Sequence, residues 1–198
     1  GYKCYDPAGF QMTEEAAQAT YECIQKVDMF SDIKSMPFDE AMAKGLIEYI
    51  PDSVVEEFYS LVMQRPINPE VSKRSDIKII YTPLNGTGNI PVRTILSRAG
   101  FKNVSVVKEQ EMPDGKFPTC PYPNPEIRQV FECGLKMTET EKADLMLATD
   151  PDCDRVGIAV LTNGEYVLLS GNDVGVLLAN YILSARQAKG LPTEGMFM

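Results

Sequence analysis

Three aspartates, Asp150, Asp152 and Asp154, alternate with Pro151 and Cys153 and are followed at once by Arg155. They come directly after the apolar run Leu145-Met146-Leu147-Ala148-Thr149. On extended backbone alternate residues face the same side, so this spacing predicts three convergent carboxylates. Three hard oxygen donors suit Mg²⁺, Mn²⁺ or Ca²⁺ and suit soft metals poorly. Without a cation or protons, their mutual repulsion would be costly. Arg155 offsets part of that charge, and its forked donors fit a phosphate oxygen.

Rival acidic loops are weaker matches. An EF-hand loop opening at Asp150 needs glycine at its sixth position and glutamate at its twelfth, where Arg155 and Leu161 stand. A HAD-type phosphatase also carries a DxD after a strand, but a third carboxylate with a trailing arginine is not its pattern. A solvated acidic turn is the plainest alternative. The position of the loop after a strand weighs against it, because open α/β sheets bind ligands at the carboxyl ends of their strands.

The rest of the composition narrows the chemistry. The chain has no histidine, which excludes a Ser-His-Asp triad, a histidine base and histidine-rich metal sites. A net charge of −9 argues against a nucleic-acid surface. The 5 cysteines are scattered, with no CxxC pair, so neither a disulfide framework nor a zinc site is expected and a reducing cytoplasm is. No apolar run is long enough to span a membrane, and the first residues carry no signal-peptide pattern.

The elements that must position the loop are legible. Helices are expected over 14–27, with Thr13 as cap, over a shorter stretch within 37–50, and over 52–64. Proline and charge between 66 and 76 mark a linker-like break. Strand, turn, helix then alternate. Strands are expected over 77–81, 104–107, 144–149, 156–161 and 165–169, the last two joined by an Asn163-Gly164 hairpin turn. Helices are expected over 90–99, 125–143 and 171–189, the last with Val174, Val176, Leu177, Leu178, Tyr181 and Ile182 on or near its buried stripe. The alternation predicts an α/β fold, three layers α/β/α with a mostly parallel mixed sheet, behind an N-terminal helical segment. The domain boundary is placed near Ile50, giving units 1–50 and 51–198.

Two further turns attract notice. In Thr82-Pro83-Leu84-Asn85-Gly86-Thr87-Gly88, glycines permit a tight entry into a helix whose N-terminus would attract anions. Pro91 argues against a dinucleotide fingerprint, and the turn is read as a strand-to-helix connection. Ser170-Gly171-Asn172-Asp173 is read as a helix cap.

These stretches together resemble the α-D-phosphohexomutases, the phosphoglucomutase/phosphomannomutase family. The 148–160 segment around Asp150-Pro151-Asp152-Cys153-Asp154-Arg155 is similar to that family's metal loop, in the form found in its phosphoglucomutase and phosphopentomutase branch. The 82–88 turn resembles its TPLHGTG, with Asn85 in place of the more frequent histidine. The 170–173 segment resembles its TGNE, and Gly1-Tyr2-Lys3 the NGYK that follows its phosphoserine loop. The resemblance implies that residues 1–50 end the family's first domain and 51–198 form its second.

It further implies Mg²⁺ held by Asp150, Asp152 and Asp154 with a phosphoserine oxygen from the remaining domains of the polypeptide, and a phosphosugar substrate. The implied reaction transfers a phosphoryl group between the 1- and 6-positions through a bisphosphorylated sugar, with a glucose 1,6-bisphosphate-type activator. Arg155 is implied at the phosphoryl group or in setting the metal loop, and Lys3 as general acid/base. A lysine would serve there only with a lowered pKa. Cys153 is read as a small filler. The 198 residues alone are expected to be inactive. The competing readings are a non-catalytic metal-binding α/β module and, more weakly, a HAD-like phosphatase.

Overall fold

The structure, a computed structural model, describes residues 4–196. By its internal contacts the chain divides into two compact units, Gly1–Ile50 and Pro51–Met198. In the first, helix α1 spans Glu14–Ile24 and α2 spans Phe38–Ala43. The Thr13 hydroxyl caps α1 by accepting from the Ala16 amide at 3.4 Å. The helix expected within 37–50 stops early. Gly45, at φ +67°, lets the Leu46 amide reach back to Ala41 and the Gly45 amide to Met42, closing the last turn.

The second unit is built on a five-stranded sheet in the order β2-β1-β3-β4-β5. The strands are β1 Lys78–Thr82, β2 Asn103–Val106, β3 Leu145–Thr149, β4 Val156–Thr162 and β5 Glu165–Leu169. β1 pairs parallel with β2 and β3, β4 runs antiparallel to β3, and β5 reverses again. All strands but β4 therefore point one way, and the sheet is mixed but mostly parallel. The β4–β5 hairpin turns on Asn163 at φ +51° and Gly164 at φ +85°, as an Asn-Gly turn should.

Helix α5, Asn89–Ala99, connects β1 to β2. Helix α6, Glu132–Glu141, precedes β3. The two crossovers run in opposite directions along the sheet, so right-handed connections put them on opposite faces. Ile80 and Met146 are register partners, and both lie under α6 where Gly134 brings it close. Val107, Val130, Phe131 and Ala148 complete that core. Helix α3, Asp52–Met63, packs on α5, tied by Arg98, which pairs with Glu56 through both Nη nitrogens at 2.8 and 2.7 Å and stacks 4.7 Å over the Tyr59 ring.

Three expectations need correction. The break over 66–76 contains a further helix, α4 Pro69–Arg74, started by Pro69 in its first turn. The helix expected over 125–143 is a 3₁₀ turn, Arg128–Phe131, and then α6; the Asn124 side chain accepts from the Glu126 amide in an Asx turn, which competes with helix at that end. Helix α7, Gly171–Ala188, forms as expected, but only Val174 of its anticipated stripe is buried, and Val176 is 70% exposed. Leu177, Leu178 and Tyr181 are exposed as well; α7 packs on the antiparallel β4–β5 edge of the sheet, and the Tyr181 hydroxyl accepts from Asn68 Nδ2 at 3.1 Å.

Candidate metal centre

β1 sends its chain to one side of the sheet and β3 is reached from the other, so the gap between their carboxyl ends is the topological switch point where α/β sheets form sites. Two loops meet there, the 82–88 turn after β1 and the 150–155 loop after β3. The latter is a hairpin loop, closed by the Thr149–Val156 pair at the start of β4.

Asp150, Asp152 and Asp154 each bring one carboxylate oxygen within 4.8 Å of the others. Asp150 is 1% exposed, while Asp152 and Asp154 face solvent. The expected convergence is present, but its cause is not extended backbone. The Cys153 amide donates to the Asp150 carbonyl at 2.9 Å, and Cys153 takes the left-handed φ of +62°. Aspartate first and proline second are favoured turn chemistry, and the turn folds the carboxylates toward one another.

Arg155 closes the loop. Its amide donates to Asp150 Oδ1 and its Nε to Asp150 Oδ2, both at 2.8 Å, and Asp154 Oδ1 lies 4.0 Å from the same nitrogen. The bond to Asp150 is the main reason the Arg155 guanidinium holds its proton more tightly than usual. Burial likewise pushes the Cys153 thiol up; a hydrogen bond from Thr149 opposes this and the three carboxylates reinforce it. Cys153 thus stays a neutral thiol. Lys3 lies outside the described residues.

The 82–88 turn braces this loop. Thr87 donates to the Pro151 carbonyl through both its amide, at 2.9 Å, and its hydroxyl, at 3.1 Å. The turn itself is strained, with Leu84 at φ +48° and Asn85 at φ +55°. Fully buried Gln110 holds it in place. The Gln110 carbonyl accepts from the Asn85 amide at 2.8 Å, and its Oε1 from the Thr82 hydroxyl at 2.7 Å. Asn85 Nδ2 donates to the Met112 carbonyl at 2.8 Å, while its Oδ1 is buried with no partner. Beneath the loop, the Tyr81 and Thr149 hydroxyls bond at 2.8 Å, and burial pushes the Tyr81 pKa up to about 12. At the start of α7, Ser170 and Asp173 form a reciprocal capping box, so this segment is a cap as expected. Tyr81, Thr87, Gln110 and Thr149 were not singled out from sequence; Thr87 and Thr149 lie in the stretches that carry the resemblance, and no local pattern marks Tyr81 or Gln110.

A family model described as phosphoglucomutase/phosphomannomutase, alpha/beta/alpha domain II, matches residues 56–164, more than half of the chain and both loops. The chain belongs to the phosphoglucomutase/phosphomannomutase family. A phosphoglucomutase of Staphylococcus saprophyticus is 32% identical over 179 residues, covering 90% of this chain and 32% of the relative. A phosphomannomutase of Mycoplasmoides pirum is 27% identical, covering 92% and 33%. A phosphoribomutase of Saccharomyces cerevisiae is 30% identical, covering 91% and 31%. A solved structure titled putative phosphomannomutase from Thermus thermophilus aligns at 26% identity and TM-score 0.49, over 68% of this chain and 29% of its own. The chain thus spans about one third of the length of the phosphomutase-family relatives it matches. Among the described residues no helix is long and apolar enough to cross a membrane.

Proposed function

We propose that this chain supplies the metal-binding part of a Mg²⁺-dependent phosphosugar mutase that moves a phosphoryl group between the 1- and 6-positions of glucose phosphate or a similar sugar, by way of a phosphoserine and a bisphosphorylated intermediate. The observation that carries the reading is the Asp150, Asp152 and Asp154 cluster at the switch point of the sheet, in a chain of this family.

The donor set fits the ion. All three ligands offer carboxylate oxygens, and each Asp150 oxygen keeps a lone pair beyond the bond it accepts from Arg155. Two oxygens on one Mg²⁺ lie at most about 4.2 Å apart, so a spread of up to 4.8 Å requires only a small closure of the exposed Asp152 and Asp154 side chains. When bound, Mg²⁺ supplies Lewis-acid withdrawal of charge from the phosphoryl group. Asp150 has a second task, holding Arg155 by two bonds so that the half-exposed guanidinium can present its Nη donors to a phosphoryl oxygen. Lys3 is assigned proton transfer at the sugar hydroxyl on resemblance alone. A reducing cytoplasm is proposed as the compartment, on the scattered cysteines of the sequence.

Calorimetric titration with Mg²⁺ or Mn²⁺ tests the reading. Binding is expected to be weak, with Kd about 1 mM, and to vanish in Asp152→Ala. An unchanged titration in that variant removes the site assignment. The 198 residues alone are proposed not to turn over glucose 1-phosphate, because resemblance assigns the phosphoserine and the sugar-reading loop to other segments. Robust turnover by a preparation free of host mutase would refute that part.

A further inference from the structure

Three polar side-chain atoms from distant parts of the chain converge beneath the carboxylate loop. A Cβ built on Gly88 would lie 2.5 Å from the Tyr81 hydroxyl, 2.6 Å from Thr149 Oγ1 and 3.0 Å from Cys153 Sγ. Tyr81 comes from β1, Thr149 ends β3 just before Asp150, and Cys153 sits between Asp152 and Asp154. Tyr81 is fully buried. Its register partner on β3 is Leu147, and its hydroxyl reaches two residues further, to Thr149. The Cys153 thiol lies against this pair, its Sγ 3.0 Å from the same Cβ position. A buried hydroxyl needs a partner, so the Tyr81–Thr149 bond favours one arrangement of both side chains, and the Cys153 thiol packs against it.

We infer that Tyr81 is a positioning residue for the metal loop: its hydroxyl, acting through Thr149 and Cys153, holds the loop in the turn that gathers the three carboxylates. Thr149 anchors the loop where it leaves the sheet, and Cys153 anchors its left-handed corner. Without the Tyr81 hydroxyl, Thr149 is released to other rotamers and the corner loses its tie to β1. The carboxylates then spread, and the cation must gather them at its own expense. Gly88 is what permits the convergence, since any side chain there would fill the space in which the three atoms meet.

The inference rests on the metal reading above, and one set of titrations separates the two. Mn²⁺ binding, followed by its paramagnetic signal, is measured on the wild-type chain and on Tyr81→Phe, Thr149→Val, Thr149→Ser and Val130→Ala. Val130 is a fully buried core residue packed in the cluster with Met146, and its truncation lowers stability without touching the polar chain. Tyr81→Phe and Thr149→Val should each weaken Mn²⁺ about fivefold, the equivalent of one ordinary hydrogen bond. Thr149→Ser should stay close to wild type, and Val130→Ala should melt lower with its affinity kept. A wild-type chain that binds no Mn²⁺ overturns the metal reading and this inference with it. Wild-type binding with an equal affinity in Tyr81→Phe overturns the inference alone, as does an equal loss in Val130→Ala. Should Tyr81→Phe not fold, the contrast between Thr149→Val and Thr149→Ser decides.

Discussion

Gly86 and Pro151 meet backbone to backbone: a Cβ on Gly86 would lie 2.3 Å from Pro151 Cα and 2.6 Å from its carbonyl oxygen. Neither atom belongs to a flexible side chain that could swing aside. Gly86→Ala must therefore push the carboxylate loop off its brace, at an overpacking cost of about 2 kcal/mol. Thermal melting should fall by about 4–8 °C, and Mg²⁺ titration should show weaker binding. Unchanged values in both would mean that the contact is slack.

Cation binding should itself stabilise the fold. With Kd about 1 mM, 10 mM Mg²⁺ adds ~1.4 kcal/mol by mass action, or about 3–5 °C in melting temperature. Asp154→Asn should lose most of this gain and keep its metal-free melting point. A gain of equal size in that variant would point to binding elsewhere.

Gln110 joins two segments of the scaffold, taking the Thr82 hydroxyl on Oε1 and giving Nε2 to Thr119 at 3.1 Å. Gln110→Leu keeps much of the volume but strands the buried Thr82 hydroxyl's proton in the interior. We expect a loss of about 2 kcal/mol by chemical denaturation. A neutral result would show that the strained Leu84–Asn85 turn stands without it.

The α7 cap gives a pH signature. The Ser170 hydroxyl and amide both bond the Asp173 carboxylate and lower its pKa. A group with a depressed native pKa stabilises the fold above its unfolded value, near 3.9, and ceases to do so as pH falls through the native value. Asp173→Ala should therefore melt below wild type at pH 7, with the gap closing below about pH 4. A gap that persists in acid would assign the effect to something other than the ionised cap.

Local patterns carried most of the secondary structure and the clustered carboxylates of the candidate site. The β-branched run at Ile79-Ile80, the Asn163-Gly164 turn and the DxDxD spacing each express their physics within a few residues. What stayed hidden is non-local. That Pro151 rests on Gly86, or that Tyr81 reaches Thr149 across 68 residues, has no trace in either segment alone. The convergence of the aspartates was foreseen for the wrong reason, because a left-handed cysteine is not an ordinary turn signal. The α7 stripe was overread for a related cause, since apolar spacing shows which residues share a face but not whether anything covers it.

The carboxylate loop is also a hairpin connection, and this bears on the order in which the site is assembled. Its three carboxylates lie within five consecutive residues between two strands that pair directly, so β3 and β4 can zip up around it with little chain entropy to lose. Isolated hairpins form in about 1–10 μs. The brace is different, because Thr87 must find Pro151 over a separation of 64 residues. Contacts of that span come late in folding. The carboxylate cluster can therefore exist before the platform that shapes it, and pulsed hydrogen exchange should find β3–β4 amides protected ahead of the Thr87 amide. Which carboxylates meet in this loop is a short-range property, and how they are held is a long-range one.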